Sequence, residues 1–413
     1  MTNSTRIFLA LIVGITVGAL LRGSVVGVQL AGVAAPIGTL WLNALRMTII
    51  PLVLALLITS VATTADTARG DKLTARTLAW FAALLVVGVV FAALCTETLL
   101  TLWPVAHDAA ASLRASAPEG TTTQLPNFVT ALTGVVPDNI FAALTAGEML
   151  PIVMFALIFG FAAATIDAET RTALLAPIKA LGDVMMVIVG WVLTVAPIGV
   201  VALAYGVGFH TGFTAAAAIL HYIITVSAVL ILQMLLLTYP LALLVSGIAP
   251  ITLIRSFVPA QVVALTTQSS LASLPAMINS MRGALNLTER TTNLVLPLAV
   301  ALFRVTSPAG NLAVGLFLAH LYGIHLSWGQ IAIGAIITVI GSLSVVGIAS
   351  SVTFFIVLVP MCVAMHVPIA LLPLLLPVEV LPDIWRTIGN VTADMAVTTI
   401  LARQKSLPPS GTS

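Results

Sequence analysis

The chain has 413 residues, of which 60% are hydrophobic and only 7% are charged, and its mean hydropathy is +1.16. This balance excludes a soluble globular protein, in which about a quarter of the residues are charged. The formal net charge is only +2, and the sequence contains no stripe of basic residues. Nucleic acid is therefore excluded as a partner. The composition therefore predicts a polytopic membrane protein with one compact membrane domain.

Eight long apolar runs predict membrane-spanning helices, because each is near or above the roughly 20 residues that a helix needs to cross a bilayer. They cover residues 6–22, 38–64, 78–103, 140–165, 181–209, 215–247, 292–323 and 376–401. The first run could alternatively be a secretory signal that follows Arg6. No clear small-x-small cleavage pattern precedes the next run, which favours a spanning helix.

Two further apolar stretches, 251–281 and 328–370, are interrupted by small polar residues at 266–273 and 342–353. Backbone that leaves the helix at membrane depth must be buried in protein or line a wet cavity. Each stretch therefore predicts a re-entrant hairpin, although a plain helix with tolerated serines is the alternative. Each is followed by a span with central charges, so the sequence predicts a repeated hairpin-plus-helix unit, a pattern that points to a transporter site.

The distribution of Lys and Arg predicts the orientation in the membrane. By the positive-inside rule, the cation-bearing segments lie on the cytoplasmic side together with both termini. These segments are 66–76, 171–179, 282–290 and 403–405. The stretch 104–127 carries Arg114 as its only cation and is expected to be an external loop.

The last apolar run carries a polar ladder on one face. Its members are Asp383, Arg386, Thr387, Asn390 and Asp394, and the offsets of 3, 4, 7 and 11 place them on one stripe of a helix about 16 Å long. Each charge costs roughly 2.5–3.5 kcal/mol in a membrane segment, so the stripe is expected to face partners, water or a bound solute.

The chemistry of the ladder suits a zwitterion with an additional acid group. Arg386 offers a planar fork of donors for a carboxylate, Asp383 can receive an ammonium, and Asn390 can bond a carboxylate or a carbonyl. The pattern therefore predicts L-aspartate or L-glutamate as the substrate. The alternative is that Asp383 and Arg386 only neutralise each other at i, i+3.

Several strings along residues 5–404 resemble the dicarboxylate/amino acid:cation symporters, the glutamate transporter family. They are LRMTIIPLV at 45–53, VPDNIFAAL at 136–144, APIGV at 196–200, QSSLASLP at 268–275 and the ladder itself. The resemblance implies an all-α membrane protein with eight transmembrane helices and two re-entrant helical hairpins in inverted repeats. It also implies that the protein is not an enzyme and that it uses no cofactor.

The resemblance further divides residues 1–404 into two parts. A scaffold part, about 1–75 and 130–215, would form a homotrimer. A transport part, about 78–103 and 251–404, would carry a small molecule across the inner membrane of the cell as an elevator, and 405–413 would be a disordered tail. The implied substrate-binding residues are Asp383, Arg386, Thr387, Asn390, Ser269, Ser270 and Ser307. Asp383 would bind the α-amino group, Arg386 the side-chain carboxylate, and Asn390 with both hairpin serines the α-carboxylate.

The seventh span departs from the family where relatives carry Asn-Met-Asp-Gly-Thr, a segment that coordinates sodium. This chain reads Phe303, Arg304, Val305, Thr306 and Ser307 at those positions. The third span has Leu85, Gly88 and Val89 where relatives place cation ligands. A hard cation needs a cage of oxygens, which these apolar side chains do not supply. The second hairpin reads GIASS at 347–351 in place of the usual Gly-Val-Pro-Gly.

These departures lead to the hypothesis that Arg304 replaces the bound cation and pairs with Asp394, the one sodium ligand that survives. Transport would then be independent of sodium. The alternative is that Arg304 extends to a membrane interface. Proton coupling, with Glu97, His221, His320, Asp383 or Asp394 as the carrier, remains open, as does uncoupled exchange or facilitated diffusion. Another anionic solute such as a dicarboxylate, or a non-transporting solute sensor, are the other functions that fit.

Overall fold

The structure, a computed structural model, describes residues 3–67, 72–115, 138–146, 149–344 and 350–403. Within these ranges the chain is helical and contains no β-strand. The first half contains α1 (Asn3–Leu20), α2 (Val25–Thr67), α3 (Lys72–Leu102), α4 (His107–Ala115), α5 (Ile140–Ala146), α6 (Met149–Ala163), α7 (Ala168–Thr194), α8 (Ala196–Thr211) and α9 (Thr214–Gln233). The second half contains a π-helical turn (Met234–Thr238), α10 (Tyr239–Ser246), α11 (Pro250–Thr267), α12 (Ser270–Leu285), α13 (Glu289–Leu302), α14 (Thr306–Tyr322), α15 (Trp328–Ser344), α16 (Ser350–Ala364), α17 (Leu372–Leu375) and α18 (Val380–Arg403).

Four helical segments of the described chain are long and apolar enough to cross a membrane. They are Arg76–Leu102, Ala168–Val192, Thr214–Ser246 and Glu289–Tyr322. Seven shorter apolar helices accompany them. The predicted all-helical fold is therefore confirmed for the residues that the structure describes, whereas the count of eight spans and the re-entrant depth of the hairpins stay predictions.

Helices α1 and α8 approach each other closely because small residues face each other. A Cβ atom added at Gly18 would lie 2.3 Å from the carbonyl oxygen of Tyr205, and one added at Gly208 would lie 2.1 Å from that of Ile15. Such contacts leave no room for a side chain. Small residues at helix interfaces are the usual means of close helix packing in membranes, where the hydrophobic effect does not drive association.

Helix α2 completes the first group of helices. It packs against α6, α7 and α8, and the indole nitrogen of the buried Trp41 donates a hydrogen bond to the carbonyl of Val192 at 3.1 Å. These contacts join α1, α2 and α6–α8 into one layer, which is drawn from the segments expected to form the scaffold.

Helix α18 lies at the centre of a second group, surrounded by α9, α10, α11, α12 and α13. Helix α14 packs against α3, α9, α15 and α18 in the same group. The polar ladder therefore lies inside protein, as the cost of its charges requires.

The first interrupted stretch forms a helical hairpin of α11 and α12. The chain reverses at Gln268, which has a left-handed φ of 50°, and Ser269 caps α12 by accepting a hydrogen bond from the backbone N–H of Ala272 at 3.2 Å. The second stretch forms the paired helices α15 and α16, and its tip, including GIASS at 347–351, falls largely outside the described residues.

The two hairpins have different surroundings. The second hairpin packs against α2, α6 and α7 of the first group of helices, as well as against α14. The first hairpin packs against α13 and α18 and touches Tyr239 of α10, and it exposes a series of large apolar side chains. These are Ile251, Ile254, Val258, Val262, Leu265 and Leu271.

Three local features differ from the sequence expectation. The stretch 104–127 contains the helix α4, which has Asp108 in its first turn and Arg114 in its last. Both charges interact favourably with the helix dipole and so stabilise the helix. The run 215–247 is interrupted by the π-helical turn, and the run 376–401 becomes regular α-helix only at Val380. The tail 405–413 lies outside the described residues.

Candidate functional site

The five members of the ladder lie on α18 and are all buried. Asp383 and Arg386 are each 5% exposed, Thr387 is 6% exposed, and Asn390 and Asp394 are each 1% exposed. The predicted stripe therefore faces neighbouring helices and not lipid.

Two carboxylates hold the guanidinium of Arg386. Its Nη1 donates to Oδ1 of Asp383 at 3.1 Å, and its Nη2 forms an ion pair with Oε1 of Glu379. Glu379 is 3% exposed and lies one helical turn before Asp383. The i, i+3 neutralisation that the sequence allowed is thus present, together with a second acidic partner.

Tyr222 on α9 completes this arrangement from the opposite side. Its hydroxyl donates a hydrogen bond to Oε2 of Glu379, so both oxygens of that carboxylate are engaged. The Tyr222 side chain is fully buried, with its ring edge-on to Phe317 of α14 at 5.3 Å between centroids. Glu379 is therefore held between a cation on α18 and a hydroxyl on α9.

Asn390 connects the ladder to the break between α13 and α14. Its Oδ1 accepts from the backbone N–H of Thr306 at 3.0 Å and from the Thr306 hydroxyl at 2.7 Å, and its Nδ2 donates to Oγ of Ser307 at 3.2 Å. The Thr306 hydroxyl also lies 2.7 Å from the carbonyl oxygen of Arg386. The side chain of Asn390 thus satisfies one of the backbone donors at the start of α14 that have no partner within the helix.

Gly310 on α14 provides the space in which the guanidinium lies. A Cβ atom at this position would be 2.9 Å from Nη2 and 3.1 Å from Nε of Arg386. Helix α14 therefore lies close to the side of the guanidinium that carries Nη2 and Nε. The Nε atom makes no hydrogen bond to any described residue.

The remaining predicted site residues contribute less directly to this hydrogen-bonded centre. The Thr387 hydroxyl donates back to the carbonyl of Asp383 at 3.0 Å. Ser269 and Ser270 are half-buried at the tip of the first hairpin, and within the described chain no hydrogen bond joins either serine to α18. The structure thus brings Asp383, Arg386, Thr387, Asn390 and Ser307 together, with the hairpin serines outside this hydrogen-bonded centre.

Apolar side chains fill the region around the break between α13 and α14. Phe303 is fully buried and stacks on Phe81 of α3 with 4.6 Å between ring centroids. Leu85 and Val305 belong to the same buried cluster. Helix α3 and the break between α13 and α14 therefore meet in this cluster.

Gln233 brings an unexpected polar group to this region. It is fully buried at the end of α9, directly before the π-helical turn, and neither polar atom of its amide has a partner among the described residues. A Cβ atom at Gly88 would lie 2.6 Å from its Nε2 and 2.8 Å from Cγ2 of Val305. The amide therefore lies beside the apolar cluster.

Arg304 lies in the break between α13 and α14 and is half-buried. The carboxylates of Asp383 and Asp394 attract its guanidinium, and the guanidinium of Arg386 repels it. Both carboxylate oxygens of Asp394 are buried and accept no hydrogen bond from any residue that the structure describes. Arg304 and Asp394 therefore interact electrostatically without a direct hydrogen bond.

Two further groups of titratable side chains lie outside this centre. Glu97 on α3 and His320 on α14 form a partly exposed pair, with 3.0 Å between Oε2 and Nε2. His221 stacks on Trp103 at 4.1 Å between centroids, and its buried Nε2 has no hydrogen-bond partner in the described part of the chain.

Sequence reasoning missed Glu379, Tyr222 and Gln233. Glu379 had a usable signal, because it continues the ladder by one turn toward the N-terminus, at i−4 from Asp383 and i−7 from Arg386. The sequence contains no comparable signal for Tyr222 or Gln233, since their roles depend on contacts with remote segments.

The chain is similar to transport proteins along nearly its whole length. The model of the sodium:dicarboxylate symporter family matches residues 4–404. A proton/sodium-glutamate symport protein of Geobacillus stearothermophilus is 24% identical over 406 residues, which cover 96% of this chain and 93% of the relative.

Two other relatives show a similar degree of likeness. A proton/glutamate-aspartate symporter of Escherichia coli K12 is 24% identical over 89% of this chain and 84% of its own length. A C4-dicarboxylate transport protein of Deinococcus radiodurans is 24% identical over 97% of this chain and 88% of its own length. The match to the family model, together with the apolar helices and the buried polar centre, shows that this chain belongs to the sodium:dicarboxylate symporter family and is a multi-pass membrane transporter of a small molecule, not an enzyme.

Proposed function

We propose that this protein transports an acidic amino acid, L-aspartate or L-glutamate, and that it does so without sodium. The observation that carries the proposal is the buried centre in which Arg386 and Asp383 lie side by side at 3.1 Å. A guanidinium binds a carboxylate and a carboxylate binds an ammonium, so the pair is complementary to a zwitterion with an additional acid group. The glutamate and glutamate-aspartate symporters among the relatives support the same class of substrate.

Independence from sodium follows from two features. The stacked Phe81 and Phe303, with Leu85 and Val305, offer no oxygen from their side chains where a cation would need several. Arg304 supplies a fixed positive charge in the break of the seventh span, and it attracts the otherwise unpaired Asp394. Leaving a buried carboxylate without a compensating charge would cost several kcal/mol, so this arginine takes over one role of the ion.

Uptake of labelled L-aspartate into proteoliposomes tests this function. Accumulation should occur in sodium-free potassium or choline buffer, and added sodium should not increase it. A strict requirement for sodium would contradict the role of Arg304. Saturable binding in detergent without any accumulation would instead favour the solute sensor.

A dicarboxylate is the second candidate substrate, because one observation favours it. Asp383 is paired with Arg386 in this structure, so it has to turn from the guanidinium to receive an ammonium, whereas a dicarboxylate needs no ammonium partner. The C4-dicarboxylate transport protein of Deinococcus radiodurans also matches most of the chain. Competition of labelled L-aspartate uptake by succinate and by L-aspartate distinguishes the two, since a dicarboxylate carrier should be blocked better by succinate.

We further propose an elevator movement in a homotrimer of the inner membrane. The support is the difference between the hairpins: the second packs against α2, α6 and α7, whereas the first exposes its apolar face. This arrangement corresponds to a state in which the substrate would leave beside the first hairpin, where Ser269 and Ser270 lie.

A further inference from the structure

We propose that Glu379 is a proton-binding residue, which takes up one proton when the carboxylate of the substrate replaces it on Arg386. The inference rests on the proposed function, in which Arg386 binds that carboxylate. It makes the proton a co-substrate of the same site.

The first step is the occupancy of the guanidinium. Asp383 takes Nη1 and Glu379 takes Nη2, while Nε makes no hydrogen bond to any described residue and Gly310 places no side chain against the edge formed by Nη2 and Nε. A substrate that binds the fork bidentately therefore has to displace a carboxylate that is already present. Glu379 is the one that can leave, because Asp383 lies on the same helix as Arg386 and is required for the ammonium group.

The second step concerns the net charge of the buried cluster of Arg386, Glu379 and Asp383. Arg386 with Glu379 and Asp383 carries a net charge of −1, and an added substrate carboxylate would bring it to −2. Carboxylates that share a site repel each other, and an ionised carboxylate without its cation is unstable in a buried environment. Uptake of one proton by the displaced Glu379 returns the net charge to −1.

The third step concerns the partner that remains. Tyr222 donates to Glu379 in the present structure, but a phenol hydroxyl can also accept a hydrogen bond. A protonated Glu379 can therefore donate to the oxygen of Tyr222, so the carboxylic acid keeps a partner after Arg386 is lost. Tyr222, Asp383 and Arg386 are the titratable or charged groups of the described chain that act on Glu379.

The balance of the step is simple. A proton from solution binds to the Glu379 carboxylate, the substrate anion binds to Arg386, and both leave together on the other side. No oxidant, reductant or further ion is required. Substrate and proton would then move with a stoichiometry of one to one at this site.

Proton uptake on binding tests the proposal directly. Purified protein in weakly buffered, sodium-free detergent solution receives L-aspartate, or succinate, while a pH indicator reports protons and equilibrium binding reports occupancy. We expect about one proton per bound substrate, and an affinity that falls about tenfold per pH unit on the alkaline side, as linkage to one proton requires.

Variants distinguish Glu379 from the other candidate proton carriers. Glu379→Gln imitates the protonated side chain, so substrate binding should release or take up no protons and become independent of pH. Glu97→Gln removes a carboxylate of α3 that is paired with His320 outside the substrate centre, and it should leave the proton count unchanged. Tyr222→Phe should keep the proton count but shift the pH at which affinity falls.

The outcomes distinguish a failure of the role of Glu379 from a failure of the proposed function. Wild-type protein that binds substrate without taking up a proton, or Glu379→Gln that still takes one up, would overturn the role of Glu379 and leave the proposed function standing. Failure of the wild type to bind either an acidic amino acid or a dicarboxylate would overturn both. If Glu379→Gln does not fold, the pH dependence of wild-type affinity still decides, because a flat profile contradicts the proposal.

Discussion

Five charged side chains meet in the buried centre of this transporter, and their sum is negative. Arg304 and Arg386 contribute two positive charges, whereas Glu379, Asp383 and Asp394 contribute three negative ones. Because Arg304 is half-buried and the other four groups are buried, each depends on its neighbours for compensation. Substitutions that change one charge should therefore affect the whole centre.

Replacement of Arg304 by methionine tests the fixed cation. We expect Arg304→Met to lower uptake at least about tenfold, which corresponds to about 1.4 kcal/mol, because Asp394 loses its attracting charge. Sodium should not restore uptake, since Phe303 and Val305 still supply no oxygen ligands from their side chains. The matched control is Arg255→Met on the exposed side of α11, which should transport normally. Rescue by sodium would show that a cation site persists.

A methyl group at Gly310 tests the position of Arg386. In Gly310→Ala the new Cβ atom would lie 2.9 Å from Nη2, so the guanidinium has to move by a few tenths of an ångström. We expect weaker substrate binding with a folded protein, measured by equilibrium binding and by thermal unfolding. Gly190→Ala, which meets no atom within 4 Å, is the control. Equal affinities for both variants would mean that Arg386 does not hold the substrate.

At the scale of elements, small residues and helix breaks decide how the helices pack. Gly18 and Gly208 allow α1 and α8 to approach, and the break at 303–305 between α13 and α14 brings Arg304 to the polar centre. The π-helical turn after Gln233 has a related effect, because an inserted residue rotates the following helix relative to the preceding one.

The interface of α1 and α8 should be sensitive to added volume. Gly18→Leu places side-chain atoms against the backbone of Tyr205, which cannot move aside, and overpacking of this kind costs about 1–3 kcal/mol. We expect a lower midpoint of thermal unfolding in detergent. Gly32→Leu on α2 meets open space in the structure and should unfold at the wild-type temperature. Similar midpoints for both variants would contradict this packing.

At the scale of the whole molecule, two groups of helices meet along the second hairpin. Val53, Leu56 and Leu57 of α2 lie against Gly341 of α15 and Val357 of α16 around a small apolar gap. An elevator requires these surfaces to slide past each other. The contact is therefore expected to exist in only part of the transport cycle.

A reversible crosslink tests this movement. The pair Leu57→Cys and Val357→Cys, in a background without Cys95 and Cys362, should crosslink with a bifunctional thiol reagent that contains a disulfide. We expect the crosslinked protein to stop net transport and to regain it after reduction, whereas each single cysteine variant is unaffected by the reagent. Undiminished transport by fully crosslinked protein would exclude an elevator that moves this hairpin.

Much of this protein was decided by local features of the sequence. Hydropathy and helical periodicity depend on neighbouring residues, so they correctly indicated the membrane class, the buried stripe from Asp383 to Asp394 and the first helical hairpin. The absence of side-chain oxygens at Phe303 and Val305 was also visible, because side-chain chemistry is read directly from the residue type. The helix α4 was missed, since a short polar helix has no strong apolar period.

Only the tertiary structure revealed the partners of these groups. Tyr222 and Glu379 are 157 positions apart, and Phe81 and Phe303 come from different spans, so no local pattern connects them. The sequence by itself determined which charges must be buried, because hydrocarbon excludes them. The packing of α9 and α14 around α18 determined that Tyr222 engages Glu379 and that Asn390 meets Thr306, because these contacts depend on distances between segments that are remote in the chain.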